Sequence, residues 1–176
     1  TQSEIYWDDG FLNTQVGAVT RGSYTLRILD PLLFVHNYVP ASFITAGAGV
    51  FDFSDVNNPA GGQLFREVVS SLSAAFSRYV NDPDKGNRIT RIQSDAVGFA
   101  QSLSAVVEEE YRWASDRGLA IVKVAIAAIE YDQRTRELLV DVQKADALSG
   151  ARSQSFVNQA AARGVQAAGE TGGGAG

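Results

Sequence analysis

His36 is the only histidine in the chain, so any Ser-His-Asp triad or metal-activated water would have to use it. It lies beside Asn37 on a segment that the sequence predicts as a short helix, and no Gly-x-Ser-x-Gly nucleophile elbow occurs. One histidine in a chain without cysteine cannot complete a zinc site unless carboxylates supply the remaining ligands. We therefore expect His36 to be structural, and we predict no catalytic residue, no metal and no cofactor.

Other short patterns resemble ligand-binding motifs but depart from them. Residues 47–49 lack the third glycine of a dinucleotide-binding loop, and no helix start follows them. Gly61 and Gly62 open a predicted helix, where an anion could bind, but a flexible helix start is the simpler interpretation. Residues 82–86 resemble a calcium loop whose glycine falls one place too early. Residues 108–110 are consecutive glutamates, which fan out around a helix and are expected to face solvent.

The composition is that of a globular protein with an excess of acidic residues. The chain has 176 residues, of which 45% are hydrophobic, so it can form one domain with its own core plus an extension. The net charge of −5 argues against nucleic acid as a partner, because phosphate binding requires clustered Lys and Arg. The same acidic balance argues against direct binding to anionic lipid, and no apolar run is long enough to predict a transmembrane segment.

Hydrophobic periodicity predicts strands and helices in an order typical of an α+β fold. Ile5 and Trp7 share one face of the first strand, and the second strand alternates between apolar and polar residues. The strand after Gly118 is apolar at nearly every position, which predicts burial on both faces. The predicted strands are 3–8, 14–29 and 118–131, and the predicted helices are 31–38, 62–81, 94–117 and 133–168. Asp30 and Ser94 are the predicted helix caps, Gly118 is expected to end a helix, and Gly17 and Gly22 are expected to mark bulges or a bend. We expect a small, mostly antiparallel sheet packed by helices and followed by a long C-terminal helix.

The domain organisation predicted from these elements has three parts. Residues 1–131 form the α+β domain, 132–168 a long Ala-rich helix capped by Asp132, and 169–176 a glycine-rich linker. Methionine is absent even at position 1. We therefore interpret the sequence as an internal fragment of a longer protein.

One segment resembles a known family. Residues 22–31, Gly-Ser-Tyr-Thr-Leu-Arg-Ile-Leu-Asp-Pro, resemble the G-x-Y-x-x-x-I-x-D-P element of the SPFH (stomatin, prohibitin, flotillin; band 7) superfamily. Gly118 and Leu119, the apolar strand, the acidic cap and the Ala-rich helix resemble the end of the same domain. Within the superfamily the chain is most similar to a soluble bacterial branch, the "virion core protein-like" proteins, which carry a C-terminal zinc ribbon. The resemblance implies that the first half of the domain and any zinc ribbon lie outside this sequence.

The same resemblance implies a scaffold function without catalytic residues. Members of the superfamily assemble into oligomers through the domain and its helix, and many organise membranes. The soluble branch lacks the usual membrane anchor and is thought to be recruited to membranes by partners. We therefore expect a cytoplasmic protein, peripheral at the inner face of the membrane, that forms a homo-oligomer and binds a membrane-protein partner.

The last predicted helix carries the candidate interface. Leu138, Val142, Ala145, Ser149 and Phe156 follow the a/d spacing of a coiled coil, which Arg152 interrupts. Leu139 and Leu148 lie alongside, and burial of this stripe between subunits is our first hypothesis. The predicted interface residues are Leu138, Leu139, Val142, Ala145, Leu148 and Phe156.

Other interpretations stay open. The stripe on the last helix could instead pack against the domain's own sheet. A monomeric adaptor would bind a different protein through that helix or through the Phe-rich loop at 41–59. A hydrolase that uses Asp or Glu has the least support, because no two carboxylates converge on one site in the sequence.

Overall fold

The computed structural model describes residues 4–55, 57–85 and 89–170, with side chains up to Arg152, except Lys85, and at Gln154. The chain forms two compact units, Thr1–Asp132 and Gln133–Gly176. The first contains a three-stranded sheet and its core, and the second contains one long helix. This architecture confirms the predicted α+β fold class.

The sheet is antiparallel with the strand order β1-β2-β3. Its strands are β1 (Glu4–Asp9), β2 (Thr14–Ile28) and β3 (Leu119–Tyr131). The predicted alternation is confirmed in β1, where Ile5 and Trp7 are buried while Glu4, Tyr6 and Asp8 are exposed. In β2 the buried residues include Val16 and Ala18, so the first half of β2 and β1 cover the same part of the core.

Glycines of β2 mark close approaches in the sheet. The pairing of β2 with β3 shifts register between Arg21 and Gly22, as the sequence predicts for a bulge at this glycine. A Cβ at Gly22 would collide with the backbone carbonyl oxygen of Ala125. At Gly17, the other position expected to mark a bulge or a bend, the pairing with Tyr6 is regular and shows no bulge. Gly17 instead leaves room for the Tyr6 ring, 2.8 Å from the position that a Cβ would occupy.

Five α-helices lie in the described part of the chain. They are α1 (Pro31–Asn37), α2 (Pro59–Val80), α3 (Ala96–Tyr111), α4 (Trp113–Arg117) and α5 (Gln133–Glu170). Asp30 caps α1 as predicted and accepts from the backbone N–H groups of Leu32 and Leu33, both at 3.0 Å. Short 3₁₀ turns at Ala41–Phe43, Pro83–Lys85 and Ile89–Ser94 lie in the connections.

The start of α2 differs from the prediction because Asn58 and Pro59 set it. The Asn58 side chain accepts from Ala60 N, and Pro59 occupies the first turn, so α2 begins before Gly61 and Gly62. Both glycines are therefore buried inside the helix and do not form a flexible start. A Cβ at Gly61 would lie 2.6 Å from the carbonyl oxygen of Phe53, so this glycine allows the preceding loop to approach the helix.

The single helix predicted over 94–117 is two helices in the structure. Asp95, not Ser94, caps α3, because its carboxylate accepts from Gly98 N at 2.8 Å. The helix ends at Arg112, which adopts a left-handed conformation with φ 55°. Gly118 ends α4 in the left-handed conformation, as predicted, and turns the chain into β3.

The core lies between the sheet and the pair α2 and α3. Phe76 of α2 contacts Trp7 of β1 and Phe99 of α3, with ring centres 4.6 and 4.7 Å apart. The prediction that β3 is covered on both faces is wrong. Within β3 only Leu119, Ile121 and Val124 are buried, and its other residues are partly or fully exposed. Alanines fill much of the other face, which is why the sequence looks apolar throughout.

Gly118 provides a first testable prediction, because its conformation and surroundings exclude a side chain. Its φ is +62°, and a Cβ would lie 2.5 Å from the carbonyl oxygen of Asp30. Its own carbonyl oxygen accepts from Leu29 N at 2.6 Å and Asp30 N at 3.2 Å. Gly118→Ala should lower the free energy of unfolding by about 2 kcal/mol in urea titrations. Gly49→Ala is the control, since no atom lies within 4 Å of a Cβ there, and an equal loss in both variants would refute the prediction.

Candidate interaction surfaces

The residues that could do chemistry are not brought together in the described part of the chain. His36 is exposed, and its Nδ1 lies 2.8 Å from the side-chain oxygen of Asn37. Asn37 Nδ2 donates to the carbonyl oxygen of Asp116 at 2.6 Å, which links α1 to α4. Among the described residues, no group of three or more His, Cys, Asp or Glu could hold a metal ion.

The three consecutive glutamates at 108–110 point to three different partners. Glu108 Oε2 accepts from Ala114 N at 2.6 Å and Ser115 N at 3.2 Å, so its carboxylate satisfies the first N–H groups of α4. Hydrogen bonds from Ser115 and from Ala114 lower the pKa of Glu108. Glu109 pairs with a surface arginine of α2, and Glu110 accepts from Ser71 at 3.3 Å. The carboxylates therefore do not form an acid–base pair.

The calcium-loop pattern at 82–86 lies only partly within the described residues. Its glycine, Gly86, lies outside the described residues. Asp82 Oδ1 accepts from the backbone N–H of Asp84 at 3.0 Å, which is the geometry of an ordinary turn.

A buried polar cluster joins α2 to α4 and was not predicted from the sequence. Glu67 is 8% exposed and binds three side chains. Its Oε2 accepts from Trp113 Nε1 and from Arg117 Nη1, both at 2.6 Å. Its Oε1 accepts from Arg117 Nη2 at 3.1 Å and from Gln63 Nε2 at 2.8 Å. The bidentate pair with Arg117 fixes α4 against α2.

The electrostatics of this cluster favour the charged form of Glu67. Burial alone would raise the pKa of its carboxyl, but the hydrogen bonds from Arg117, Gln63 and Trp113 outweigh burial and lower the pKa below 4.5. The Arg117 guanidinium also lies 5.3 Å from the centre of the Tyr38 ring. Burial raises the pKa of Tyr38 to about 12. Both carboxylate oxygens of Glu67 accept hydrogen bonds from neighbouring side chains, so Glu67 is a structural residue.

The Phe-rich loop exposes Ile44, Val50 and, at 36%, Phe43, whereas Phe51 and Phe53 are half-buried. Phe51 and Phe53 pack against Phe34 of α1, with ring centres 6.3 and 5.6 Å from it. Leu32 of α1 and Val50 of the loop are 83% and 90% exposed. Exposed apolar side chains are candidates for interaction with other proteins. We call the exposed aliphatic residues of α1, of the residue before its cap and of the loop the α1–loop surface: Leu29, Leu32, Val35, Ile44 and Val50.

The candidate interface residues lie on α5, and most of them are described. Leu138, Leu139 and Val142 are half-buried, whereas Ala145 is exposed and Leu148 is 62% exposed. The side chain of Phe156 lies outside the described residues. Val140, which the sequence analysis did not single out, is 46% exposed on the opposite side of the helix from Val142.

Comparison of the chain with protein-family models, with curated proteins and with solved structures gave no match. None of the helices in the described residues is long and apolar enough to cross a membrane.

Proposed function

We propose that this protein is a non-enzymatic scaffold that self-assembles through α5. The observation that carries the proposal is the length of α5 together with its exposed apolar side chains. It has 38 residues, belongs to its own compact unit and carries exposed apolar side chains such as Leu148. A helix of this length extends for about 57 Å and gains most of its stability in water from packing.

The spacing of the apolar residues supports packing against a second helix. Leu138, Val142 and Ala145 recur at intervals of four and three residues, which keeps them on one side of a helix. Leu139 and Leu148 widen this stripe, and we call the five residues the α5 seam. Small and aliphatic side chains at these positions allow helices to approach closely and interdigitate. Such contacts become strong when they repeat around a ring or along a row.

The resemblance to SPFH domains supports the same proposal, since proteins of that superfamily are scaffolds. On this basis we propose that the assembled protein is cytoplasmic and reaches the inner face of the membrane through a membrane-protein partner. Flotation of the protein with liposomes, with and without membrane extract, tests this part. Flotation with pure lipid would contradict recruitment by a protein partner.

Light scattering coupled to size-exclusion chromatography tests self-assembly. The full chain should have a mass several times its monomer mass of 18.8 kDa, and removal of 133–176 should return it to a monomer. The first compact unit contains the sheet and its core, so the truncated chain retains the interactions that stabilise the domain. A monomeric full chain at high concentration would refute the proposal.

Two valines on α5 provide a matched pair of variants. Val142→Asp places a charge within the α5 seam, where its burial between subunits would be costly, and should weaken self-association at least about a hundredfold, roughly 2.7 kcal/mol. Val140→Asp makes the same chemical change on the opposite side of the helix and should leave the oligomer intact. Sedimentation velocity of both variants measures the effect. Equal dissociation in the two variants would show that the seam is not the interface.

The α1–loop surface supports a second candidate function, a monomeric adaptor. Its five exposed aliphatic residues would bind a different protein, and Leu32, which is 83% exposed, is the residue to test. Leu32→Asp would then abolish recovery of a stoichiometric partner without changing the mass of the protein in solution. If Leu32→Asp leaves all partners bound, this candidate is refuted.

A further inference from the structure

β2 is longer than the strand paired to it on one side, which leaves part of its edge open. β1 pairs with β2 only from Thr14 to Val19, whereas β3 pairs with β2 as far as Ile28. Among residues 4–55, 57–85 and 89–170, no strand pairs with the β1 side of β2 over residues 20–28. An open strand edge presents N–H and C=O groups that can pair with another extended chain.

Two clefts run along this open edge. The first has a volume of about 320 Å³, is lined by the consecutive β2 residues 20–24 and by α2, and extends beneath the sheet to α3 and to Val124 and Ile126 of β3. Side chains alternate between the faces of a strand, so contact with five consecutive residues places the cleft at the edge. The second has a volume of about 420 Å³ and is lined by residues 22–26, followed by Phe53 and Ser54 of the loop. Residues 22–24 and Phe65 line both clefts, so we call them together the edge groove.

The far wall of the edge groove is an apolar face of α2. Phe65, Val69 and Leu72 line it and are only half-buried. Val68 and Phe76 form its floor and are buried. An extended chain lying in the groove would direct every second side chain towards these residues. Apolar side chains at alternate positions would therefore be buried against α2.

The outer face of the sheet beside the groove is basic. Arg27 of β2 and Lys123 of β3 are exposed, and neither has a carboxylate within ion-pair distance in the described part of the chain. Arg21 lies on the same face and pairs with Glu130 at 3.6 Å. An acidic side chain on the outer face of an added strand would lie across from Arg27, a favourable cross-strand arrangement, whereas Lys123 lies one strand further away.

We propose that the edge groove binds an extended segment of another protein, in which apolar and acidic residues alternate. The segment adds to the sheet as a strand antiparallel to β2, in line with β1, and forms backbone hydrogen bonds with residues 23–28. Its apolar side chains contact Phe65, Val69 and Leu72, and its acidic side chains lie on the outer face beside Arg27. This site shares no residue with the α5 seam.

Binding of a fluorescent octapeptide that alternates valine and glutamate, measured by fluorescence anisotropy on the full chain, tests the proposal. We expect saturable binding, with slower hydrogen exchange at the amides of residues 23–28. A peptide of the same sequence with alternate backbone nitrogens methylated cannot pair along the strand and should not bind. Equal binding of the methylated peptide, or no binding of the parent peptide, would overturn the proposal.

A matched pair of valine variants locates the site. Val69→Asp puts a charge into the apolar wall and should weaken peptide binding at least about tenfold. Val97→Asp changes a valine of α3 that is 58% exposed and does not line the groove, and it should bind as the unchanged protein does. Far-UV circular dichroism checks that both variants fold. If Val69→Asp folds and binds the peptide with unchanged affinity, the groove is not the site.

Discussion

Replacement of Glu67 with alanine should lower the free energy of unfolding by about 3–5 kcal/mol, the cost expected when one partner of a buried ion pair is removed. Arg117 would keep its charge in a site where its side chain is only 16% exposed. Trp113, which is fully buried, would lose the acceptor of its indole N–H. Urea titrations followed by circular dichroism measure the change.

Glu109 provides the control for this prediction. It pairs with Arg78 at the same distance of 2.6 Å, but both side chains are about half exposed or more. Exposed pairs contribute little because water competes for both charges, so Glu109→Ala should cost less than about 1 kcal/mol. Similar losses from Glu67→Ala and Glu109→Ala would contradict the importance that we assign to burial.

The pH dependence of stability gives a second signature of the Glu67 cluster. The pKa of Glu67 lies below 4.5 in the folded protein, so its charge stabilises the fold above that pH. This contribution is lost as the pH falls through the lowered pKa of the folded state. The difference in unfolding free energy between the parent protein and Glu67→Gln should therefore be large at neutral pH and shrink below about pH 4.5. A difference that stays constant down to pH 3 would contradict this assignment.

Replacement of Phe76 with alanine is the second change for which we expect a large effect. Phe76 is completely buried and connects α2 to both β1 and α3 through its contacts with Trp7 and Phe99. Loss of the ring removes its burial and leaves a cavity, which together cost about 3–5 kcal/mol. Phe11→Ala is the control, since Phe11 is 49% exposed. Thermal unfolding should show a large fall in the midpoint for Phe76→Ala alone, and equal falls would refute the prediction.

The parts of the fold that the sequence predicted correctly have strong local signals. Asp30 and Pro31 define the start of α1, and Gly118 defines the end of α4, through contacts made within a few residues. Alternation of Ile5 and Trp7 predicted the buried face of β1. These features depend on backbone geometry and on burial of neighbouring side chains, which a short stretch of sequence encodes.

The start of α2 was missed although its signal, Asn58 followed by Pro59, is local, whereas other failed predictions concern features that depend on tertiary contacts. Nothing in the local sequence marks Arg112 as left-handed. The helix break at this residue allows Glu108 to cap α4 and allows Trp113 to reach Glu67. Glu67 interrupts the apolar stripe of α2, and a charged residue at such a position is the one signal that could have revealed the buried cluster. In β3, small alanines made one exposed face look like core.

Chemical crosslinking of single cysteines tests self-assembly through the α5 seam most directly, since the chain has no cysteine of its own. Ala145→Cys places a thiol within the seam, and Ala147→Cys places one on the opposite side of the same helix. A short bismaleimide should convert Ala145→Cys into covalent dimers and leave Ala147→Cys monomeric in denaturing electrophoresis. Absence of dimers in both variants, or equal yields from the two, would contradict the proposal that this helix joins subunits through its apolar stripe.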